Sequence, residues 1–290
     1  MTIPSDKISF SKINTELGRQ STAAFDIDDA DGRKLAAAGN TGQNLTTRTP
    51  IKLSTFRDHA RAKVTILADQ HNVNVNALIT GVEAHYSAGK TYGTLVVDTQ
   101  VSIGSTTTAD PAMIVGDFIS GDIVEIVNNG VIEGAGGAGG DGTGSFTSNP
   151  GLPGGNALSV TYASFITNNG YIWGGGGGGG SGSSGGLYHG GFSQYVEYFA
   201  GGAGGGGAGY DAGAGGVNGV PGSAGNKTQG GQGGGNGGRG ARSGGAGGNP
   251  GNPGANSVAR GGAPGYYLVG KVFVNNGDGI SGGSVTGPVS

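Results

Sequence analysis

The amino-acid sequence predicts a mainly irregular and β protein, in which short N-terminal helices and a small β region precede a glycine-rich sandwich of packed polyglycine II helices. Two observations carry this prediction. Glycine supplies 70 of the 290 residues, against about 7% in an average protein, and only 10 of these glycines lie before Gly130. Runs of β-branched residues end where the glycine-rich part begins, so the chain joins two compositions end to end.

The N-terminal part predicts two short helices. In SFSKINTELG, residues 9–18, apolar residues recur at helical spacing between a serine N-cap and a C-terminal glycine. A second helix is predicted in TFRDHARA, because Thr55 and Asp58 form a capping box. Residues 19–49 are polar and show no such pattern, which predicts an extended arm that needs a partner for order.

The small β region is predicted at residues from about 92 to 133. The stretches YGTLVVDTQVSI, PAMIV and GDIVEIV are rich in β-branched residues and are separated by Gly, Asp and Pro. The last strand leads directly into the first glycine run. We therefore expect a small β spacer domain to end at about residue 127 and the glycine-rich domain to begin there.

Two phrases recur along the glycine-rich part. VNNGVIEGAGG at 127, TNNGYIWGGGG at 167 and VNNGDGISGG at 274 each place Asn-Asn-Gly behind an apolar strand. NPGLPGGN from Asn149 and NPGNPGAN from Asn249 match at their Asn, Pro and Gly positions. Such recurrence indicates a tandem design with internal repeats, which random low complexity would not produce.

Seven consecutive glycines follow Trp173, and such a run is either a disordered tether or a backbone that serves as its own packing surface. Asn-Gly is the strongest short-range turn signal, and a tether has no need to begin each run with the same turn. A left-handed helix with three residues per turn accommodates glycine runs whose neighbours approach closely. The sequence therefore predicts polyglycine II helices that pack side by side through backbone hydrogen bonds.

Composition and motifs argue against several functions. The net charge is −3, no basic stripe marks a nucleic-acid surface, and the absence of cysteine excludes disulfides and thiolate metal sites. The 4 histidines lie far apart, without metal-ligand spacing, and no Gly-rich loop opens a helix after a strand. We therefore expect a protein that is not an enzyme, requires no cofactor or metal and binds no nucleic acid.

Specificity in such a bundle must come from the segments that join the glycine runs, because the runs carry almost no side chains. Residues 187–199, LYHGGFSQYVEYF, are rich in aromatic side chains, which give large contact areas at a small entropy cost. We interpret this segment as a binding loop or, alternatively, as a strand that plugs one end of the bundle. The candidate receptor-binding residues are Tyr188, His189, Phe192, Tyr195, Tyr198, Phe199, Phe146, Tyr210, Asp211 and Lys227, with Arg239 and Arg242 as lesser candidates.

The chain resembles bacteriophage tail proteins that carry a glycine-rich receptor-binding tip. ISFSKINTELGRQSTAAFDI and TPIKLSTFRDHAR look like a short N-terminal module of phage tail proteins, and GDIVEIVNNGVIEGAGGAGG and ITNNGYIWGGGGGGG look like their glycine-rich region. The chain is similar to the distal long-tail-fibre adhesins of T-even-like phages, in which polyglycine helices pack as a layered sandwich and the loops between them contact the receptor. Its N-terminal end does not match the fibre-docking domain of that family.

The resemblance implies a virion protein of the tail or tail-fibre tip that recognises the host by binding. It implies that residues 1–60 attach to the tail, that 61–127 form the β spacer and that 128–290 form the polyglycine II receptor-binding domain. Its partners are then a phage tail or tail-fibre protein and a bacterial outer-membrane protein or lipopolysaccharide. In that family, loops that contact the receptor sit where this chain has residues 187–199 and the inserts near 146, 210 and 227.

Two other functions remain open on the residues alone. A glycine-rich structural or ice-binding protein would use the regular small-residue faces of the same bundle. A polysaccharide-degrading tail protein would require a large β-helix with paired acidic residues.

Overall fold

Short strands that repeat along the chain form the frame of the protein. A computed structural model describes residues 10–17, 19–20, 34–35, 38, 59–82, 85–142, 148–189, 195–280 and 282–290. The helices are α1 (Phe10–Glu16) and α2 (Val75–Thr80). The strands are β1 (Ala60–Ile66), β2 (Gln70–His71), β3 (Val73–Asn74), β4 (Thr91–Val97), β5 (Ser102–Gly104), β6 (Met113–Val115), β7 (Ile123–Asn128), β8 (Val131–Glu133), β9 (Leu158–Val160), β10 (Ser164–Asn168), β11 (Tyr171–Trp173), β12 (Gly185–His189), β13 (Tyr195–Phe199), β14 (Leu268–Val269) and β15 (Ser284–Thr286). Neither described helix is long and apolar enough to cross a membrane.

Three parallel sheets wind into a β-solenoid. Sheet A has the order β1-β4-β7-β10, sheet B has β2-β5-β8-β11-β15, and sheet C has β3-β6-β9-β14. All neighbouring strands in these sheets are parallel, and the chain visits A, B and C in turn before it returns to A one strand further on. The glycine-rich segments 134–157 and 174–267 are inserted between sheets B and C of the third and fourth coils.

The β region predicted at 92–133 is confirmed, since β4 to β8 lie within or at its bounds. The solenoid also uses strands before and after this region, and the boundary predicted at residue 127 lies inside β7 (Ile123–Asn128).

The helix predicted in TFRDHARA, residues 55–62, lies outside the described residues over 55–58, and over its last residues the prediction is wrong. Its final residues belong to β1, because Ala62, Val64 and Ile66 recur with the two-residue period of a strand and pair with β4.

The core of the solenoid is a stack of side chains from equivalent positions in successive coils. In sheet B, Ile103, Ile132 and Ile172 are neighbours in register, and all three are fully buried. Each such side chain contributes roughly 1.5–3 kcal/mol by leaving water. In the same column Val285 of the last strand, β15, remains 38% exposed.

The first two Asn-Asn-Gly phrases form stacked turns between sheets A and B. Asn128 Nδ2 donates to Asn168 Oδ1 at 2.8 Å, and both side chains are buried. Asn169 Nδ2 likewise donates to Asn129 Oδ1 at 2.9 Å. The third phrase, residues 275–277, lies in a 3-10 turn after sheet C and does not take part in this ladder.

Backbone hydrogen bonds of the glycine-rich segments repeat with a period of three residues. Along residues 174–182, every third N–H donates to the same neighbouring segment. One neighbouring segment, residues 149–155, accepts from Gly175, Gly178 and Ser181 through the carbonyls of residues 155, 152 and 149 in that order. A second, residues 202–208, accepts from Gly176, Gly179 and Gly182 through the carbonyls of residues 208, 205 and 202. A third accepts from Gly177 and Gly180 through the carbonyls of residues 252 and 255. A Cβ on Gly178 would lie 1.9 Å from the carbonyl oxygen of Ala138, so only glycine fits there.

The described N-terminal residues pack on the outer face of sheet A. Arg61 Nη1 donates to the carbonyl of Leu17 at 2.6 Å, and Lys34 forms an ion pair with Glu125. Ile13 and Leu35 are fully buried.

Candidate functional site

The turns between glycine-rich segments gather at two opposite ends. The run that leaves β11 bonds near its start to residue 208 and near its finish to residue 202, so it runs antiparallel to the segment that returns from the β12–β13 hairpin. We call the end at the solenoid the base end and the end at the hairpin the tip end. The base end comprises turns 209–212, 226–229 and 249–252, and the tip end comprises the hairpin and turns 217–220, 238–241 and 256–259.

Residues 187–189 and 195–199 of the aromatic segment lie in the two strands of this hairpin. β12 and β13 are antiparallel, with His189 opposite Tyr195 and Tyr188 opposite Val196. The strand interpretation therefore describes residues 185–189 and 195–199. The candidate residues Phe192 and Phe146 lie outside the described residues.

A glycine turn supports the base of the hairpin. The half-buried ring of Phe199 packs on Gly238, where a Cβ would lie 2.1 Å from Phe199 Cδ1. Gly185 approaches the same turn, and a Cβ there would lie 2.3 Å from the backbone nitrogen of Ala241. The exposed side chains of Arg239 and Arg242 therefore flank the hairpin.

Sequence reasoning missed two apolar side chains at the tip end. Val217 is 57% exposed and Val258 is 44% exposed, each in a turn of this end. Asn218 and Gly219 have φ values of 60° and 74°, so the Asn-Gly dipeptide was the available signal for the first turn. No comparable signal marks the turn at 256–259.

Tyr210, Asp211 and Lys227 lie together at the base end. The ring of Tyr210 covers Gly104 of sheet B, where a Cβ would lie 2.0 Å from Tyr210 Cγ. The ring also meets His71 edge-on, with 4.9 Å between the ring centroids, and Lys227 Nζ lies 4.2 Å from the Tyr210 centroid. The structure therefore separates these three candidates from the candidates in the hairpin.

Glu133 is a buried carboxyl beside this cluster. It follows Gly104 in register on sheet B and is only 2% exposed, and its Oε1 has no hydrogen-bond partner among the described residues. Burial raises the pKa of Glu133 to about 8, although the positive charge of Lys227 opposes the shift. Burial also raises the pKa of Tyr210, and the negative charges of Asp69 and Asp211 add to that rise. Glu133 is therefore mostly protonated at neutral pH.

The two ends offer contact surfaces of different kinds. The base end is a packed junction with the solenoid, whereas the tip end presents exposed apolar and cationic side chains. In the described part of the chain, His, Asp and Glu side chains form no group of three that could hold a metal ion.

Comparisons with known proteins give one family match and a similarity to a solved structure. Residues 61–289 match the family model described as phage tail fibre adhesin Gp38. Among solved structures, the chain is similar to the gp37–gp38 adhesin tip complex of the bacteriophage S16 long tail fibre, with 22% identity and a TM-score of 0.46 over 90% of this chain and 96% of that chain. A search of curated proteins finds no match.

Proposed function

The chain belongs to the phage tail fibre adhesin Gp38 family, and on that premise we propose that its tip end binds the bacterial receptor. The family match makes the protein an adhesin located on the tail fibre of the virion. Its receptor is an outer-membrane protein or a lipopolysaccharide, because these molecules form the outer surface that such a fibre meets.

The position of the hairpin is the observation that carries this proposal. The hairpin lies at the end of the glycine-rich segments that is farthest from the solenoid. Its sequence concentrates aromatic residues, which supply most of the energy in many binding surfaces. Val217 and Val258 extend the tip end with exposed apolar area. Tyr210, Asp211 and Lys227 lie at the base end instead, outside the proposed receptor surface.

The glycine-rich segments are polyglycine II helices in a layered sandwich. The three-residue period of their hydrogen bonds and the lack of room for a Cβ support this assignment. At roughly 3.1 Å per residue, the eleven-residue run 174–184 would span roughly 34 Å between β11 and the hairpin. Because each run bonds to several neighbours, the sandwich is a stiff support for short loops.

Charge at the tip end favours approach to the bacterial surface. Arg239 and Arg242 are exposed beside the hairpin, and the outer surface of a Gram-negative cell carries anionic phosphate and carboxylate groups. Such complementarity acts mainly on the association rate. The two arginines therefore assist encounter, while the hairpin provides specificity.

Residues 1–60 attach the adhesin to a tail or tail-fibre protein. The family match begins only at residue 61, so this segment is free to differ among adhesins carried by different fibres. The solenoid follows it and carries the glycine-rich receptor-binding segments between its strands.

The test is binding of the labelled full chain to a panel of Gram-negative strains. The full chain is required, because a fragment that begins at residue 128 would lack β1 to β6 of the solenoid and all of β7 except Asn128. One variant exchanges residues 187–199 for a Gly/Ser sequence of equal length. A second variant carries Asp211→Ser and Lys227→Ser at the base end.

We expect strain-selective binding that is lost in the tip variant and retained in the base-end variant. Circular dichroism and thermal melting check that both variants keep the fold. The proposal is wrong if the tip variant binds like the unmodified chain, or if only the base-end variant loses binding.

A further inference from the structure

A cleft lies on the outer face of sheet A, on the solenoid and apart from the tip end. It has a volume of about 390 Å³, within the range of roughly 300–1,000 Å³ that is usual for small-ligand sites. Lys34 forms one wall, β10 forms the floor, and the turn after sheet C forms the other wall. The lining residues are Lys34, Glu125, Phe165, Ile166, Thr167, Asn275, Asp278 and Gly279.

The wall opposite Lys34 is built by the third Asn-Asn-Gly phrase. The side chain of Asn275 takes the place of a neighbouring strand: Ile166 N donates to its Oδ1 at 2.9 Å, and its Nδ2 donates to the carbonyl of Ile166 at 3.1 Å. A third bond, at 2.7 Å, joins Asn275 Nδ2 to the carbonyl of Gly279. These contacts fix the turn against β10, so the cleft has a preformed wall.

The same turn is held in a backbone conformation that side chains rarely adopt. Asn275 and Asn276 have φ values of 49° and 59°, whereas the Asn residues of the first two phrases have no positive φ. Left-handed conformations outside glycine cost about 1 kcal/mol or more and persist where the surrounding contacts impose them. The strained turn is the part of the chain that places Asp278 and Gly279 at the cleft.

The floor of the cleft combines an aromatic ring with a carboxylate that is held in an ion pair. Phe165 and Glu125 are direct neighbours in register on the outer face of sheet A. Glu125 accepts from Lys34 through Oε1 and from Tyr92 through Oε2, so its charge is compensated and its position is fixed. Phe165 is half-buried, and the exposed Thr167 follows two residues later on the same face.

We propose that this cleft binds one neutral pyranose unit of a glycan. A pyranose presents an apolar C–H face, which suits the ring of Phe165, and a rim of hydroxyl groups, which suits the polar atoms of Thr167 and Asp278. Since Lys34 is paired with Glu125, the carboxylate of Asp278 leaves the lining with an excess negative charge. The site therefore discriminates against sugars that carry a carboxylate or phosphate.

Saturation-transfer NMR with the full chain tests the proposal, with glucose, galactose and N-acetylglucosamine as neutral probes and glucuronate as the anionic probe. Thr167→Trp fills the cleft. Thr65→Trp is its matched control, because Thr65 is also an exposed threonine on the outer face of sheet A, on the strand at the opposite edge. Tryptophan is well tolerated in strands, so neither change should unfold the solenoid.

We expect a signal from at least one neutral sugar and a weaker signal from glucuronate. Thr167→Trp and Asp278→Asn should each weaken binding about tenfold or more, whereas Thr65→Trp should leave it unchanged. Absence of any neutral-sugar signal, or equal signals from the chain and its Thr167→Trp variant, overturns the proposal. A chain whose hairpin has been exchanged should keep its sugar signal, which separates this site from the receptor surface at the tip end.

Discussion

Replacement of Glu133 by glutamine should stabilise the protein at neutral and alkaline pH. The buried carboxyl has a pKa of about 8 in the folded chain, whereas its ordinary value is 4.5. Between these values the folded state holds a proton that the unfolded state releases, so the free energy of unfolding falls as pH rises. Glutamine has nearly the shape of the protonated acid and does not ionise, so it removes this dependence.

The magnitude follows from the size of the shift. Each pH unit between 4.5 and about 8 removes about 1.4 kcal/mol from the stability of the folded chain. At pH 7 the carboxyl of Glu133 therefore costs about 3 kcal/mol, and above pH 8 it costs about 5 kcal/mol at most. Below the ordinary pKa of 4.5 the cost disappears, because both states are then protonated.

Urea unfolding of the two chains at about pH 5 and about pH 8.5 measures this difference. The stabilisation from Glu133→Gln should be small at the lower pH and several kcal/mol at the higher pH. Asp117→Asn is the matched control, since Asp117 is exposed and already adopts a left-handed φ of 61°, which asparagine tolerates. A Glu133→Gln effect that is equal at both pH values would refute the reasoning, because it would show that ionisation is not the cause.

Three further predictions concern packing and encounter. Gly178→Ala should destabilise the chain by about 1–3 kcal/mol or more in urea unfolding. Gly235→Ala is the control and should be nearly neutral, because its Cβ would meet nothing within 4 Å. Equal effects of the two changes would contradict close packing of the glycine-rich segments. Asn128→Ala should lower the free energy of unfolding by about 1–3 kcal/mol in the same measurement, because it leaves the buried Oδ1 of Asn168 unpaired. An unchanged free energy of unfolding would show that the hydrogen bond between Asn128 and Asn168 does not stabilise the fold. Charge reversal of Arg239 and Arg242 should slow association with cells at low salt and should matter little at high salt; a slower rate that is independent of salt would argue against electrostatic steering.

Many of the strands could be predicted from short stretches of sequence. The strands β4 to β8 follow runs of β-branched residues, and the first two Asn-Asn-Gly phrases end strands of sheet A where they were expected to turn. The helix predicted at TFRDHARA failed because a capping pattern is a local signal. Pairing of β1 with β4, about 30 residues further along, outweighs that signal.

The third Asn-Asn-Gly phrase shows the limit of a repeat. Its sequence matches those of the first two phrases, but only a single β-bridge, from Val274 to Ser164 of β10, precedes it in sheet A. Its two asparagines take left-handed φ values. Its place in the last coil gives Asn275 the open edge of β10 as a partner. The same motif therefore forms a wall of a cleft where its predecessors form a turn.

The sequence by itself determined the glycine runs and the aromatic segment that joins two of them, because these depend on composition and short-range conformation. Only the tertiary structure decided which turns lie at the tip end and which at the base end. Successive runs alternate in direction, so residues as close as Tyr198 and Tyr210 reach opposite ends of the same bundle. That outcome depends on backbone hydrogen bonds between segments far apart in the chain, and glycine, which has no side chain, leaves no local mark of which neighbour it will meet.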